Sequence, residues 1–239
     1  MCNNVKLDNI FHKYKNNEFL INYDGSSISY NDFWKSVEGF AKKLISAGCK
    51  EGDFLLIKIE NCKEYLQIYV ACMETGIIAC PIDPDLPEDR YKVLLDEINP
   101  SFIIDDIEKI KTFKTKNFNA TTSTSNNNYN KNFIMLYSSG TTGEPKGILH
   151  TTSSLIASAK SFSQLSGINK DSVIYHHFPM YYMAGIFNMF LCPMVSGAKT
   201  KRYECCNGAF SITHFASIVA TVIPEVSLLA MEWWQVYVE

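Results

Sequence analysis

From residue 32 to residue 105, short apolar runs and segments of helical period take turns, and that alternation restricts the chain to a sheet whose strands run largely in parallel. In residues 32–47, Phe33, Trp34, Val37, Phe40, Ala41, Leu44 and Ile45 recur at helical spacing, and Gly48 follows as a C-terminal stop. Residues 53–59 form an apolar run of strand length. A second helix is expected over 63–74, burying Tyr65, Leu66, Ile68, Tyr69 and Cys72. Gly76 ends it before a short buried strand over 77–82. A third helix is expected after Pro87, with Tyr91, Leu94, Leu95 and Ile98 turned inward, followed by a strand over 102–105. Strands separated by helices of this length predict an α/β architecture, layered αβα, with helices on both faces of the sheet.

The stretch 117–132 (NFNATTSTSNNNYN, then KN) is polar and low in complexity, and is read as a loop or linker. It divides a first αβ subdomain, 1–116, from a second αβ block, 133–239. Within the second block, 133–137 is expected as a strand, 153–165 as a helix and 172–178 as a strand. An apolar helix over 183–195 is closed by Gly197. The Met-rich part of that region, 180–194, has helical spacing and is read as core.

Charge and cysteine usage exclude several function classes. The chain carries 22 basic and 25 acidic residues, and phosphate-backbone binding needs a concentrated basic excess, so no nucleic acid partner is expected. The lysine-rich run 109–116 is read as a solvated loop flank. Of eight cysteines, Cys49, Cys62, Cys72, Cys80 and Cys192 lie in apolar segments, and Cys205 and Cys206 are adjacent. No CxxC pair or zinc-ligand spacing occurs, which favours buried thiols in a reducing cytoplasm. Residues 1–14 lack the apolar core of a secretory signal, and no apolar stretch approaches the roughly 20 residues that span a bilayer.

Residues 137–150 read YSSGTTGEPKGILH. Ser138, Ser139, Thr141 and Thr142 supply hydroxyls, Gly140, Gly143 and Gly147 free the backbone, and Lys146 adds a cation. Glycines let main-chain N–H groups close around a polyanion without obstruction, and hydroxyls can donate to phosphate oxygens or help hold a magnesium ion. A lysine at the end can neutralise charge on a departing pyrophosphate. A strand before the loop and a helix after it are expected as its mounting. The Walker loop is excluded, because Lys146 is followed by Gly147 rather than Ser or Thr. A ligand-free surface hairpin would suit a lone glycine cluster, but not this order of hydroxyls, glycines, proline and lysine.

The stretch YSSGTTGEPKG resembles the phosphate-binding signature of the adenylate-forming superfamily, which includes acyl- and aryl-CoA synthetases, luciferases and amino-acid adenylation domains. Residues 28–33 (ISYNDF) resemble its early Tyr-containing motif. Residues 74–90 (ETGIIACPIDPDLPEDR) resemble its Gly-to-Pro segment, and 179–185 (PMYYMAG) its Pro-Leu-Phe-His-x-x-Gly segment beside the acid pocket. The likeness covers about residues 20–200. It implies that ATP and a small carboxylic acid give an acyl-adenylate and pyrophosphate, after which a thiol of CoA, or of the phosphopantetheine on a carrier protein, takes the acyl group. It also implies that Ser138, Ser139, Gly140, Thr141, Thr142, Gly143 and Lys146 cradle the β- and γ-phosphates. Thr142 is the expected Mg2+ contact, Lys146 and Thr142 are the catalytic candidates, and Tyr182 and Gly185 stand at the acid pocket.

Three departures qualify the likeness. Tyr182 stands where many acyl- and aryl-CoA synthetases have a histidine, so it is read either as lining the pocket or as an aromatic core residue. The aspartate that amino-acid-activating relatives use to hold an amine is missing from this region, which favours a non-amino acid. The family's adenine-binding Tyr-Gly-x-Thr-Glu segment, ribose-binding aspartate and lysine-bearing C-terminal domain have no counterpart in the 239 residues. The chain is therefore expected to be the N-terminal part of such an enzyme, without turnover by itself, or else a non-catalytic remnant that binds nucleotide or a protein partner. Apolar side chains in 219–239 (Val222, Ile223, Leu228, Leu229, Trp233, Trp234) would need further sequence or an oligomer to cover them. Adjacent His176 and His177 would point to opposite faces of a strand and are read as structural, one of them buried and one nearer the surface, while His150 is read as capping a helix or orienting the loop.

Overall fold

The computed structural model describes residues 6–22, 24–112, 130–138 and 146–202. The chain divides into two units, Met1–Arg202 and Tyr203–Glu239. The second lies outside the described residues, and with it Cys205, Cys206 and the apolar tail. In order, the elements begin with α1 (Leu7–Lys13), β1 (Glu18–Ile21), β2 (Ser27–Ser29), α2 (Tyr30–Ser46), β3 (Phe54–Ile57), α3 (Lys63–Thr75) and β4 (Ile78–Pro81). α4 (Glu88–Ile98), β5 (Phe102–Ile104) and α5 (Ile107–Thr112) follow. Next come β6 (Asn132–Ser138), β7 (Lys146–Thr151), α6 (Thr152–Leu165) and β8 (Val173–His176). A continuous helix then runs through α7 (Met183–Ile186), a π turn (Phe187–Leu191) and α8 (Cys192–Ser196) to β9 (Lys199–Arg202).

The larger sheet has the order β5-β3-β4-β6-β7, and every neighbouring pair except β6–β7 is parallel. Burial on both faces explains why its strands read as unbroken apolar runs. Leu55 and Ile57 of β3 join a core built with α2 and α3. Leu56, on the other face, meets Ile78 and Cys80 of β4, against which α4 lays Tyr91, Leu94, Leu95 and Ile98. The second sheet, β2-β1-β9-β8, joins an antiparallel hairpin to parallel strands. The α/β class with largely parallel, helix-covered sheets is thus what the chain adopts.

Local chemistry sets the element ends. The Ser29 hydroxyl accepts the Asp32 backbone N–H at 3.0 Å and donates to the Asp32 carboxylate at 2.9 Å, so α2 starts two residues before the expected helix over 32–47. Tyr30, fully buried, donates its hydroxyl to the Ala198 carbonyl at 2.8 Å and so ties α2 to the end of the 183–196 helix. That helix stops at Gly197, whose φ of 76° and a Tyr14 ring 2.5 Å from any added Cβ both require glycine. Gly39, by contrast, sits in mid-α2 with open space around it. Gly39→Ala should raise the urea unfolding midpoint, by about 0.5–1 kcal/mol of stability, because only helix propensity changes.

Three sequence expectations need correction. α1 and the β1–β2 hairpin were not anticipated, although Leu7, Ile10 and Phe11 are buried at helical spacing. The helix α5 occupies the start of the lysine-rich run read as a loop, and Lys109 pairs there with Asp105. The phosphate-loop candidate is followed not by a helix but by β7, and only then by α6.

Candidate active site

The strands on either side of the candidate phosphate loop, β6 and β7, pair antiparallel. Tyr137 pairs with Gly147 and Ser138 with Lys146, so the backbone closes immediately at both ends of 139–145. Ser139, Gly140, Thr141, Thr142 and Gly143 lie outside the described residues, and what the fold supplies is their mount. Lys146 is exposed at the head of β7. The bare Cα of Gly147 lies under two side chains of β6. A Cβ there would come within 2.9 Å of the Met135 sulfur and 3.6 Å of the Tyr137 ring. Burial first, then the Glu97 carboxylate, pushes ionisation of the Tyr137 phenol up, so that ring stays neutral beside the loop.

The acid-pocket candidate, 179–185, and Phe178 before it are tied to the carboxyl side of the same sheet. Asn61, four residues past the end of β3, donates its amide to the Phe178 carbonyl at 3.2 Å and accepts the Met180 backbone N–H at 2.8 Å. The Tyr69 hydroxyl, buried in α3, donates to the Met180 carbonyl at 2.5 Å. Gly185 opens the following helix so close to this segment that a Cβ would sit 2.2 Å from the Pro179 carbonyl oxygen. Burial, then the Asp83 carboxylate just past β4, pushes the Tyr181 phenol's ionisation up. Tyr182 is 55% exposed, which removes its reading as an aromatic core residue. Met180 and Met194 are buried, as expected for core.

Topology explains why these pieces gather. β3 is followed by α3 on one face of the sheet and β4 by α4 on the other. Adjacent parallel strands whose connections leave on opposite faces open a crevice at their carboxyl ends, the usual place for a ligand in such sheets. Asn61 and Asp83 lie just past the ends of β3 and β4, the first bonding the backbone at 178 and 180 and the second lying near Tyr181. The chain leaves the carboxyl end of β6, which runs parallel to β4, into residues 139–145.

Other polar candidates fall into structural roles. His176 is buried in β8, and half-buried His177 sets Nδ1 3.0 Å from the Tyr175 carbonyl. Burial lowers the pKa of His177 and of His150. His150 lies in β7, and the cap of α6 is instead Thr151, whose hydroxyl accepts the Ser154 N–H at 3.2 Å. Among the described residues, no cluster of three His, Cys, Asp or Glu side chains could hold a metal ion, and no helix is long and apolar enough to cross a membrane. Asn61 escaped the sequence reading, and Tyr69 was read only as a buried residue of its helix, because their bonds reach partners more than a hundred residues away.

Residues 7–204 match the AMP-binding enzyme family. The chain belongs to that family. Among relatives of this chain is the 2-succinylbenzoate–CoA ligase of Oceanobacillus iheyensis, 27% identical over 186 residues, covering 70% of this chain and 37% of that protein. The nonribosomal peptide synthetase ivoA of Emericella nidulans is 26% identical over 218 residues, 83% of this chain and 12% of that protein. The chain thus spans 37% or less of the length of these two relatives. The crystal structure of ATP-bound MatB from Rhodopseudomonas palustris superposes with a TM-score of 0.72 at 16% identity, over 90% of this chain and 48% of that one. The fold is therefore that of the N-terminal part of adenylate-forming enzymes, a family of AMP-forming CoA ligases and peptide-synthetase adenylation domains.

Proposed function

We propose that the protein carrying this chain uses ATP to activate a small carboxylic acid as its acyl-adenylate, and then passes the acyl group to the thiol of CoA or of a carrier-protein phosphopantetheine. The observation that carries this reading is the β6–β7 hairpin. It holds a loop of hydroxyls and glycines at the carboxyl end of a parallel sheet, closed at its base by the Ser138–Lys146 pair. The ATP-bound relative of like fold and the CoA ligase among the sequence relatives support it.

A carboxylate is a weak nucleophile, and attack on the α-phosphorus needs in-line positioning and relief of phosphate charge more than proton transfer. Ser138, Ser139, Gly140, Thr141, Thr142 and Gly143 would hold the β- and γ-phosphates through backbone N–H groups and hydroxyls. Lys146 would offset the charge that builds on pyrophosphate. Mg2+, with Thr142 as a contact, supplies further charge neutralisation when bound. Tyr182 and Gly185 would border the acid, the tyrosine offering an exposed ring and the glycine allowing its helix to approach Pro179. A cytoplasmic location is part of the proposal. It is supported by Cys49, Cys72, Cys80 and Cys192, which are free thiols rather than disulfides.

ATP–pyrophosphate exchange with a panel of carboxylic acids tests the reading. Exchange that depends on one class of acid is expected. A protein that binds ATP yet stays silent with every acid would be a nucleotide-binding remnant instead.

A further inference from the structure

We infer that Asn61 and Tyr69 are positioning residues that set where Tyr182 stands, and so how well the acid fits; this rests on the acid-activation reading above. Asn61 grips a foreign stretch of main chain as a neighbouring strand would. Its amide nitrogen donates to the carbonyl of Phe178, and its amide oxygen accepts from the N–H of Met180, two residues on. Tyr69 closes a third point by donating to the Met180 carbonyl. Burial pushes ionisation of the Tyr69 phenol far up, so it remains a donor at any working pH.

The segment so held has few alternatives. Behind it, the start of α7 presses Gly185 against the Pro179 carbonyl. Ahead of it, the Tyr182 N–H donates to Pro179 at 3.2 Å and closes a turn. The ring that this turn projects is 55% exposed, on a segment tied to Asn61 just past the carboxyl end of β3, the end at which sheets of this kind usually take a ligand. Neither Asn61 nor Tyr69 projects from this segment. Each bonds its backbone, so neither has to touch the acid to decide where the Tyr182 ring lies. A displacement of about 1 Å at a binding group is enough to cost a large factor in fit or rate.

The test uses Asn61→Ala and Tyr69→Phe, each also combined with Tyr182→Ala. In the acid-activating protein, each single variant should raise KM for the acid about tenfold, with KM for ATP unchanged. In the Tyr182→Ala background the same changes should add less than about twofold, as expected when residues act through one another. Hydrogen exchange at the Met180 amide should quicken by about tenfold or more in Asn61→Ala, while amides of β3 and β4 keep their rates. A fall in kcat with unchanged acid KM would overturn the positioning role. So would a full tenfold effect in the Tyr182→Ala background, since Asn61 would then act by another route. Unchanged exchange at Met180 would show that the clamp does not hold the segment. A parent protein silent with every acid sinks the acid-activation reading and the acid-fit role with it. The clamp is judged by the exchange rates alone, so the two failures are told apart.

Discussion

Lys146→Ala should slow ATP–pyrophosphate exchange by about 10²- to 10³-fold, the usual loss when one preorganised charge or donor is removed from a developing anion. The acid's affinity should stay within about twofold, because an interaction confined to the phosphates leaves ground-state acid binding alone. The structural reason is the place of the lysine. It stands exposed at the first residue of β7, paired across the hairpin with Ser138, where the chain emerges from 139–145. Its Cα is therefore fixed by the sheet at the end of that segment. Lys146→Arg keeps the charge and should recover part of the rate. A comparable loss in exchange and in acid affinity would place Lys146 outside the triphosphate site.

Gly185→Ala should be strongly destabilising. A methyl group there would lie 2.2 Å from the Pro179 carbonyl oxygen and 3.0 Å from its carbon. Backbone cannot swing aside as a side-chain tip can, and this backbone is tied through Met180 to Asn61 and Tyr69. Either the helix from Met183 is pushed away or the clamp breaks. Overpacking of this kind costs about 1–3 kcal/mol, read as a lower urea midpoint, and acid affinity should fall with it. The comparison with Gly39→Ala is informative because the chemical change is identical and the expected sign opposite. A Gly185→Ala protein as stable as its parent would mean that α7 does not press on Pro179 as described.

Much of the layered sheet was legible because buried parallel strands and their crossover helices write themselves as local pattern. The stops at Gly48, Gly76 and Gly197 and the inward faces of α3 and α4 follow from residues within a few positions of one another. β7 was not legible for the opposite reason. Its first four residues are exposed, so KGILHT shows no alternation of apolar and polar, and its strand form depends on pairing with β6 across the loop. The short α1 hides three buried apolar residues among charged ones. In the site, the signature residues were recognisable as a string, but their mount was misjudged by one strand. The need for glycine at 147 becomes clear only once Met135 and Tyr137 are seen lying over it. The Asn61 clamp joins positions 117 and 119 residues apart, a separation at which no local pattern carries a signal.

The most direct measurement is a structure of the protein with a non-hydrolysable ATP analogue and Mg2+. The β- and γ-phosphate oxygens should lie within about 3.2 Å of backbone N–H groups in 139–143 and of the Lys146 ammonium. Amides of that loop bonded to their own chain, with the triphosphate held elsewhere, would contradict the assignment.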